Sequence, residues 1–422
     1  MQRYESYKPS AVPWIDALPQ HWGEEKGKWL HRFRKDLNNR KQCDNVLSLT
    51  LRGVVNNDPD DPEGLVPKDY GTYQIFEKDD LVFKLIDLEN FRTSRVGLVH
   101  ERGIMSSAYL RVQPGKEHNP RYFYYYYFTL YQQGIYNKLG AGVRSTLGAT
   151  DLLEIGVPMP SKDEQDRIVA FLDQKTTEID AAIAKKEQLI KLLDEQKSIL
   201  INSLVTKGVN PQVVTKASGL SWGGNIPAHW KIRYLKHLFR ETDSRTSTGE
   251  EPLFSLRMSG QLLRHNDVSD KPITPDQLIG YKIVSPGQLV MNRMRASMGL
   301  FAVARERGLV SPDYAVFDCI DDISQEYFLA LFRNSSIRGV FLTESKGLGT
   351  GSSGFLRLYS DRFGGIKVPC PPREEQEKIV LTINDHFLKF ANVERSVRTE
   401  IEKLNVMRSI LMADAVTGKM RV

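Results

Sequence analysis

The stretch VPMPSKDEQDRIV (Val157–Val169) is written again as VPCPPREEQEKIV (Val368–Val380). Gln165 falls on Gln376, an offset of 211 residues, and the same offset carries Ile168 to Ile379 and Val169 to Val380. It still holds where SILINSLVTKG (Ser198–Gly208) meets SILMADAVTGK (Ser409–Lys419), so no insertion has entered between. The offset is half of the 422-residue chain, which therefore consists of two copies of one design. Elsewhere the halves match with small slips. WIDALPQHW (Trp14–Trp22) answers WGGNIPAHW (Trp222–Trp230), and YQIFEKDDLVF (Tyr73–Phe83) answers YKIVSPGQLVM (Tyr281–Met291), both at 208. RGIMSSAYLRV (Arg102–Val112) answers RGLVSPDYAVF (Arg307–Phe317) at 205. Loops tolerate insertions and packed elements do not, so the matching stretches mark the packed elements.

Residues 161–206 contain no proline or glycine and predict one long helix. Ser161 and Glu164 form a Ser-x-x-Glu capping pattern ahead of it. Its apolar residues recur as heptads. Leu172, Ile179, Leu193 and Leu200 share one position, with Lys186 interrupting; Thr176, Ile183, Ile190 and Leu204 share the other, with Lys197 interrupting. Residues 373–417 repeat the pattern with Ile383, Phe390, Val397, Leu404 and Leu411, then Phe387, Ile401 and Ala415. There Pro372 replaces the capping serine and suits a helix start. A helix of this length is about 65 Å long and cannot bury its stripe on itself. Two such stripes bury each other most economically as a coiled coil, and the internal twofold repeat favours an antiparallel one. The competing arrangement packs each helix on its own domain.

The remaining segments mix short alternating strands with turns rich in Gly, Pro, Asn and Asp, which predicts two α/β (α+β) globules. YKIVSPGQLVMN reads as strand, turn, strand, and EYFLALFRNSSIRG as an amphipathic helix. The expected layout is a first globular domain over 1–157, a long helix over 158–208, a second globular domain over 209–368 and a second long helix over 369–422.

Several motifs invite chemistry that their context rejects. RYFYYYYF (Arg121–Phe128) could stack on bases. In the other half, Leu329, Ala330 and Leu331 stand where Tyr124–Tyr126 stand, so the slot reads as core. SPDY (Ser311–Tyr314) is similar to the Asn/Asp/Ser-Pro-Pro-Tyr motif of amino-methyltransferases, but Asp313 replaces the second proline and no Gly-rich cofactor turn lies near. It reads as a turn at a strand edge. GLGTGSSG (Gly347–Gly354), answered by GAGVRS (Gly140–Ser145), lacks the Gly-Lys-Ser/Thr of a phosphate loop and reads as a connection.

Eight histidines show no metal spacing, and no nucleophile–base set is identifiable. The chain is expected to carry no catalytic residue, no metal and no cofactor of its own. Its three cysteines lack CxxC spacing, and neither a signal-peptide core nor a membrane-spanning run is visible, so a cytoplasmic setting is expected. A net charge of +6 permits a polyanionic partner without demanding one.

The cations are better placed than their number suggests. HRFRKDLNNRK (His31–Lys41) gathers Arg34, Lys35, Arg40 and Lys41 around Asn39. MNRMRASMG (Met291–Gly299) places Arg293 and Arg295 on one strand face past a turn, and its counterpart FKLIDLENFRTSR (Phe83–Arg95) has Lys84, Arg92 and Arg95. Arg245 and Arg257 complete the candidate set. Arg, Lys and Asn clamp phosphates and read guanine and adenine edges in the major groove.

In order, spacing and duplication these features resemble the specificity subunits of Type I restriction–modification systems. In that family two target-recognition domains alternate with two long helices. Each helix is entered through Pro-x-Pro and Glu-Gln, here VPMPSKDEQDRI and VPCPPREEQEKI, and GLVSPDYAVF is similar to a late strand of many family recognition domains. The resemblance implies a non-catalytic subunit binding double-stranded DNA. Each domain would read one half of a split site, asymmetric because the two contact sets differ, and the helices would set the gap. It further implies two methyltransferase subunits bringing S-adenosylmethionine to an adenine in each half-site, and a restriction/translocase subunit using ATP and Mg. The competing classes are a methyltransferase built on SPDY and a coiled-coil scaffold with two protein-binding domains.

Overall fold

The computed structural model describes residues 2–51, 53–58, 67, 69–86, 88, 94–139, 146–258, 260–269, 273–348 and 355–422. The long helices span Lys162–Lys207 and Arg373–Val416, within a residue of the ranges their heptads predict. Two compact units emerge, Met1–Lys186 with Arg398–Val422, and Glu187–Val397. They part inside the helices, between Lys186 and Glu187 and between Val397 and Arg398. A stripe of apolar residues is buried on the nearest apolar surface, so each globular segment takes helix ends into its own core.

The first unit is built on a four-stranded antiparallel sheet in the order His31–Arg34, Leu110–Pro114, Leu81–Phe83, Val96–Leu98. The helix Pro120–Gln132 packs against it, burying Tyr122, Phe123, Tyr125, Tyr126 and Tyr127. The tyrosine run is thus core. Ile168, Val169, Leu172 and Ile179 from the start of the first long helix join this core, as do Leu411, Met412, Ala415 and Val416 from the end of the second.

The second unit repeats the plan. Its sheet runs Phe239–Thr242, Tyr314–Cys319, Leu289–Asn292, Phe301–Val303, and its core takes Leu204 and Val205 together with Ile379 and Ile383. Ser311–Tyr314 forms a turn closed by Tyr314 N–H donating to the Ser311 carbonyl at 3.0 Å, leading into the strand. Of two further expectations, one is met and one needs correcting. YKIVSPGQLVMN is strand, turn, strand, but Lys282–Val284 pairs with Gly308–Val310 whereas Leu289–Asn292 lies in the four-stranded sheet, so the turn joins two sheets. The expected single helix is two, Gln325–Arg333 and Ser335–Glu344. Asn334 parts them, because its side-chain oxygen accepts from Ser336 N–H at 2.7 Å and caps the second. GAGVRS and all but the start of GLGTGSSG lie outside the described residues.

Within each unit the long helices run antiparallel. In the first, Arg408 meets Asp180 at 2.5 Å and Lys186 meets Glu400, so the number on one helix falls as the other rises. In the second, Lys197 meets Glu394 at 3.0 Å, and Leu200 and Leu204 share a core with Ile383 and Phe387. Leu172, Ile179, Ile383, Val397 and Leu411 are buried; Ile183, Ile190, Leu193, Leu200, Phe390 and Leu404 are half-buried. The interrupting lysines are therefore functional parts of the seam. Each meets a carboxylate on the facing helix, which fixes register where an apolar pair would allow slippage.

The repeated phrase is explained by hydrogen bonds made twice. Gln165 accepts from Asn119 N–H at 2.9 Å and donates to the Pro160 carbonyl; Gln376 accepts from Ser324 N–H at 2.8 Å and donates to the Pro371 carbonyl. Asn119 and Ser324 are the caps of the domain helices, so one glutamine ties each domain helix to the entry of a long helix. Glu164 receives His21 and the Tyr4 hydroxyl, and Glu375 receives His229 and the Trp230 indole. Glu164 therefore faces the domain and does not turn back to close the predicted capping box; Ser161 supplies its half only, at 3.4 Å to Glu164 N–H. Tyr122 donates to the carbonyls of Pro158 and Val416, and Tyr327 to those of Pro369 and Val205. Each tyrosine stitches the strand before one long helix to the last turn of the other.

Candidate nucleic-acid interface

In the first unit the basic run forms a closed loop. Asn38 is buried, its amide donating to the Cys43 carbonyl at 2.8 Å while its oxygen accepts from Cys43 N–H at 3.1 Å. Lys41 N–H donates to the Asn38 carbonyl, closing a turn. This leaves Asn39, Arg40 and Lys41 exposed at the tip, with Lys41 at φ +50°, a conformation side-chain-bearing residues rarely adopt. Arg34, on the edge strand of the sheet, and Lys35 are also exposed. Lys84 is half-buried, its ammonium 6.0 Å from the centre of the Tyr109 ring. Arg95 is no surface reader. It is 1% exposed, with its guanidinium on the Ile86 carbonyl, because the strand it precedes runs through the interior. Arg92 lies outside the described residues.

Behind that loop lies a charged group that pattern reading missed. Arg111, buried, meets Asp80 at 2.6 Å and Asp36 at 2.8 Å, and donates to the Ile75 carbonyl. Burial pushes the Asp80 carboxyl above its ordinary range, against the pull of the Glu77 N–H and of Arg111. Asp36 carries the base of the basic loop, so the pair anchors it to the sheet.

In the second unit two of the four candidate arginines hold structure together. Arg293 meets Glu241 at 2.6 Å and Ser360 at 3.4 Å, and Arg245 meets Asp243 at 3.0 Å while donating to the Gly280 carbonyl. Between them the buried Lys282 reaches Asp243 at 3.2 Å and Glu241 at 3.6 Å. Lys282 shares a strand face with the buried Val284, and that alternation is the signal by which its burial was legible. Arg295 and Arg257 are exposed. Arg293 and Arg295 do not share a strand face as expected: the strand stops at Asn292, whose side-chain oxygen accepts from Met294 and Arg295 N–H and bends the chain into a turn. The two arginines consequently part, one inward and one outward.

Two units of one fold each present an exposed turn that carries cations, and the residues that compose the turn differ between them. The chain is similar to the specificity subunits of Type I restriction–modification systems. Residues 55–192 match the family described as the Type I restriction modification DNA specificity domain. The EcoKI specificity subunit of Escherichia coli (strain K12) is 23% identical over 282 residues, 63% of this chain and 58% of that one. The EcoBI specificity subunit of Escherichia coli is 20% identical over 401 residues, 91% of this chain and 82% of that one. A chain from a structure of a Type I restriction–modification system, described in terms of complex assembly and conformational transition, shares the fold with a TM-score of 0.66 at 14% identity, covering 96% of this chain and 99% of that chain.

Proposed function

We propose that this chain reads DNA for a Type I restriction–modification complex, each globular segment binding one half of a split, asymmetric site. The observation that carries this is the repeat itself. The helix-entry hydrogen bonds of Gln165 and Gln376 are made twice, while these exposed candidate contacts are not: Asn39, Arg40 and Lys41 lie on a loop before the hairpin strands Leu47–Thr50 and Gly53–Asn56 of the first unit, and Arg257 and Arg295 on two turns of the second. Shared framework with unlike contact residues is what two readers of unlike sequences require.

The long helices set the gap between half-sites and dock two methyltransferase subunits. Exposed apolar residues on them, Leu189, Leu192 and Ile199 on the first and Val406, Met407 and Ile410 on the second, support docking, since solvent-facing apolar stretches mark interaction surfaces. S-adenosylmethionine enters with the methyltransferase, and ATP and Mg with a restriction/translocase subunit. This chain supplies selection and contributes no catalytic group.

Co-expression with the methyltransferase encoded beside it, followed by mapping of N6-methyladenine in host DNA, tests the reading. A split asymmetric motif with a fixed gap is the expected result. A stable complex with no methylation and no sequence-selective DNA binding would return the chain to the scaffold class. Inserting two helical turns, seven residues, beside Leu193 is expected to change the gap by several base pairs and keep both half-site sequences, since two turns add about 10 Å. An unaltered gap in that methylation map would remove the ruler role.

A further inference from the structure

The turn Asn292–Gly299 carries more than a cation. Met294 is 36% exposed and Met298 49% exposed on it, and Met258, 56% exposed, follows Arg257 at the end of the separate hairpin strand Phe254–Leu256. Arg295 joins the turn to that hairpin, its guanidinium donating to the Met258 sulfur at 3.5 Å. Arg257 is exposed on the same hairpin, and among the described residues neither Arg257 nor Arg295 forms an ion pair. Hydrogen bonds between described residues hold both turns. Arg257 N–H donates to the Gln261 carbonyl and Gly260 N–H to the Arg257 carbonyl. The second turn is held by Asn292, by Arg293 on Glu241, and by Leu358 N–H on the Arg293 carbonyl.

Flexible apolar methionines facing water beside unpaired guanidinium groups fit neither a core nor a merely solvating surface. The nearby arginines Arg245 and Arg293 do meet carboxylates, so the lack of one at Arg295 and Arg257 leaves positive charge at the apolar patch. A ligand covering the patch must be anionic overall and must present an apolar group beside a pair of acceptors. The major-groove edge of DNA meets both demands: guanine offers O6 and N7 to a guanidinium, and thymine offers a methyl group.

Resting on the DNA-reading function above, we infer that Arg295 reads a guanine and that the methionines around it contact the methyl group of a neighbouring thymine, in one half-site only. Arg293 is a positioning residue, holding the turn through Glu241 while Arg295 makes the contact. Preorganisation of both turns lowers the ordering cost of that contact.

The test uses the complex of this chain with its methyltransferase. Its wild-type motif is first mapped by methylation, and binding is then measured on duplexes carrying single changes. One half-site is expected to contain a guanine beside an A·T pair. Arg295→Ala is expected to weaken binding to that motif about ten- to a hundredfold and to relax preference at that guanine alone. Replacing the thymine by deoxyuridine deletes only the methyl group. It is expected to weaken the wild type about fourfold and to leave a Met258→Ser/Met294→Ser/Met298→Ser variant unaffected. Thermal unfolding and complex assembly equal to wild type show that these surface variants are folded.

Loss of affinity spread equally over all sequences would make Arg295 a phosphate contact and overturn the inference while leaving the DNA-reading function intact. So would equal sensitivity to deoxyuridine in wild type and variant, or loss of complex assembly in the methionine variant, which would make the patch a protein contact. Failure of the wild-type complex to bind any DNA selectively would overturn the function and the inference together.

Discussion

Gln376→Leu is expected to destabilise the unit Glu187–Val397 by about 2–6 kcal/mol, because it strands two buried backbone groups that each cost about 1–3 kcal/mol unpaired. Those groups are the Ser324 N–H and the Pro371 carbonyl, both held only by this side chain among the described hydrogen bonds. Leucine fills similar space but offers neither partner. Hydrogen exchange should show faster opening around Ser324 and the entry of the second long helix, with the first unit's amides unchanged. Gln165→Leu should produce the mirror result around Asn119, where the same two bonds are made. A loss below about 1 kcal/mol in both variants would mean that water replaces the side chain, and the helix-entry glutamines would then not be the clasp described.

Arg111→Met is expected to cost about 3–5 kcal/mol at neutral pH, the penalty of leaving a partner charge buried alone. Asp80 is the group left, within the interior and already raised by burial. Its pH dependence has a definite sign. A carboxyl raised in the folded state contributes stability that is fully present below its unfolded range, near pH 4, and is lost as pH rises through the folded value. Removing Arg111 removes a downward pull and raises the folded value further. The variant should therefore lie closest to wild type near pH 4–5 and fall furthest behind at pH 7. Urea unfolding at the two pH values checks this; a deficit that grows on acidification would show that Asp80 is not the stranded group. Because Asp36 also rests on Arg111, the Asn39–Lys41 tip should lose its fixed position, weakening one half-site more than the other.

Both variants act on pairs that no periodicity reveals, and this marks the division between what could be read early and what could not. The long helices were legible to within a residue because their cause is local: a run without proline or glycine, and heptads that lie on one face whatever surrounds them. The repeat made the fold of one half predict that of the other. It also identified the tyrosine run as core, since Leu329 and Leu331 fill the same slots as Tyr124 and Tyr126.

The candidate contact residues were less legible. Arg34, Lys35, Asn39, Arg40, Lys41, Arg257 and Arg295 are exposed as the candidate interface requires, but Arg95 is buried, and Arg245 and Arg293 are engaged by Asp243 and Glu241. An arginine in sequence looks the same in all three situations. Whether it faces solvent depends on which strand it follows and which carboxylate the sheet brings beside it, and Glu241 precedes Arg293 by about fifty residues.

By itself, then, the order of residues determined that this chain is a duplicated protein with two rigid helices and two divergent globular segments, because helical periodicity and internal repetition are properties of neighbours along the chain. Only the tertiary structure decided that the units divide within the helices, that Glu-Gln is a clasp, and that Arg295 faces outward while Arg293 faces Glu241. Those outcomes are settled by hydrogen bonds and ion pairs between residues far apart in the chain, where burial leaves each polar group to find a partner or bear the cost of lacking one.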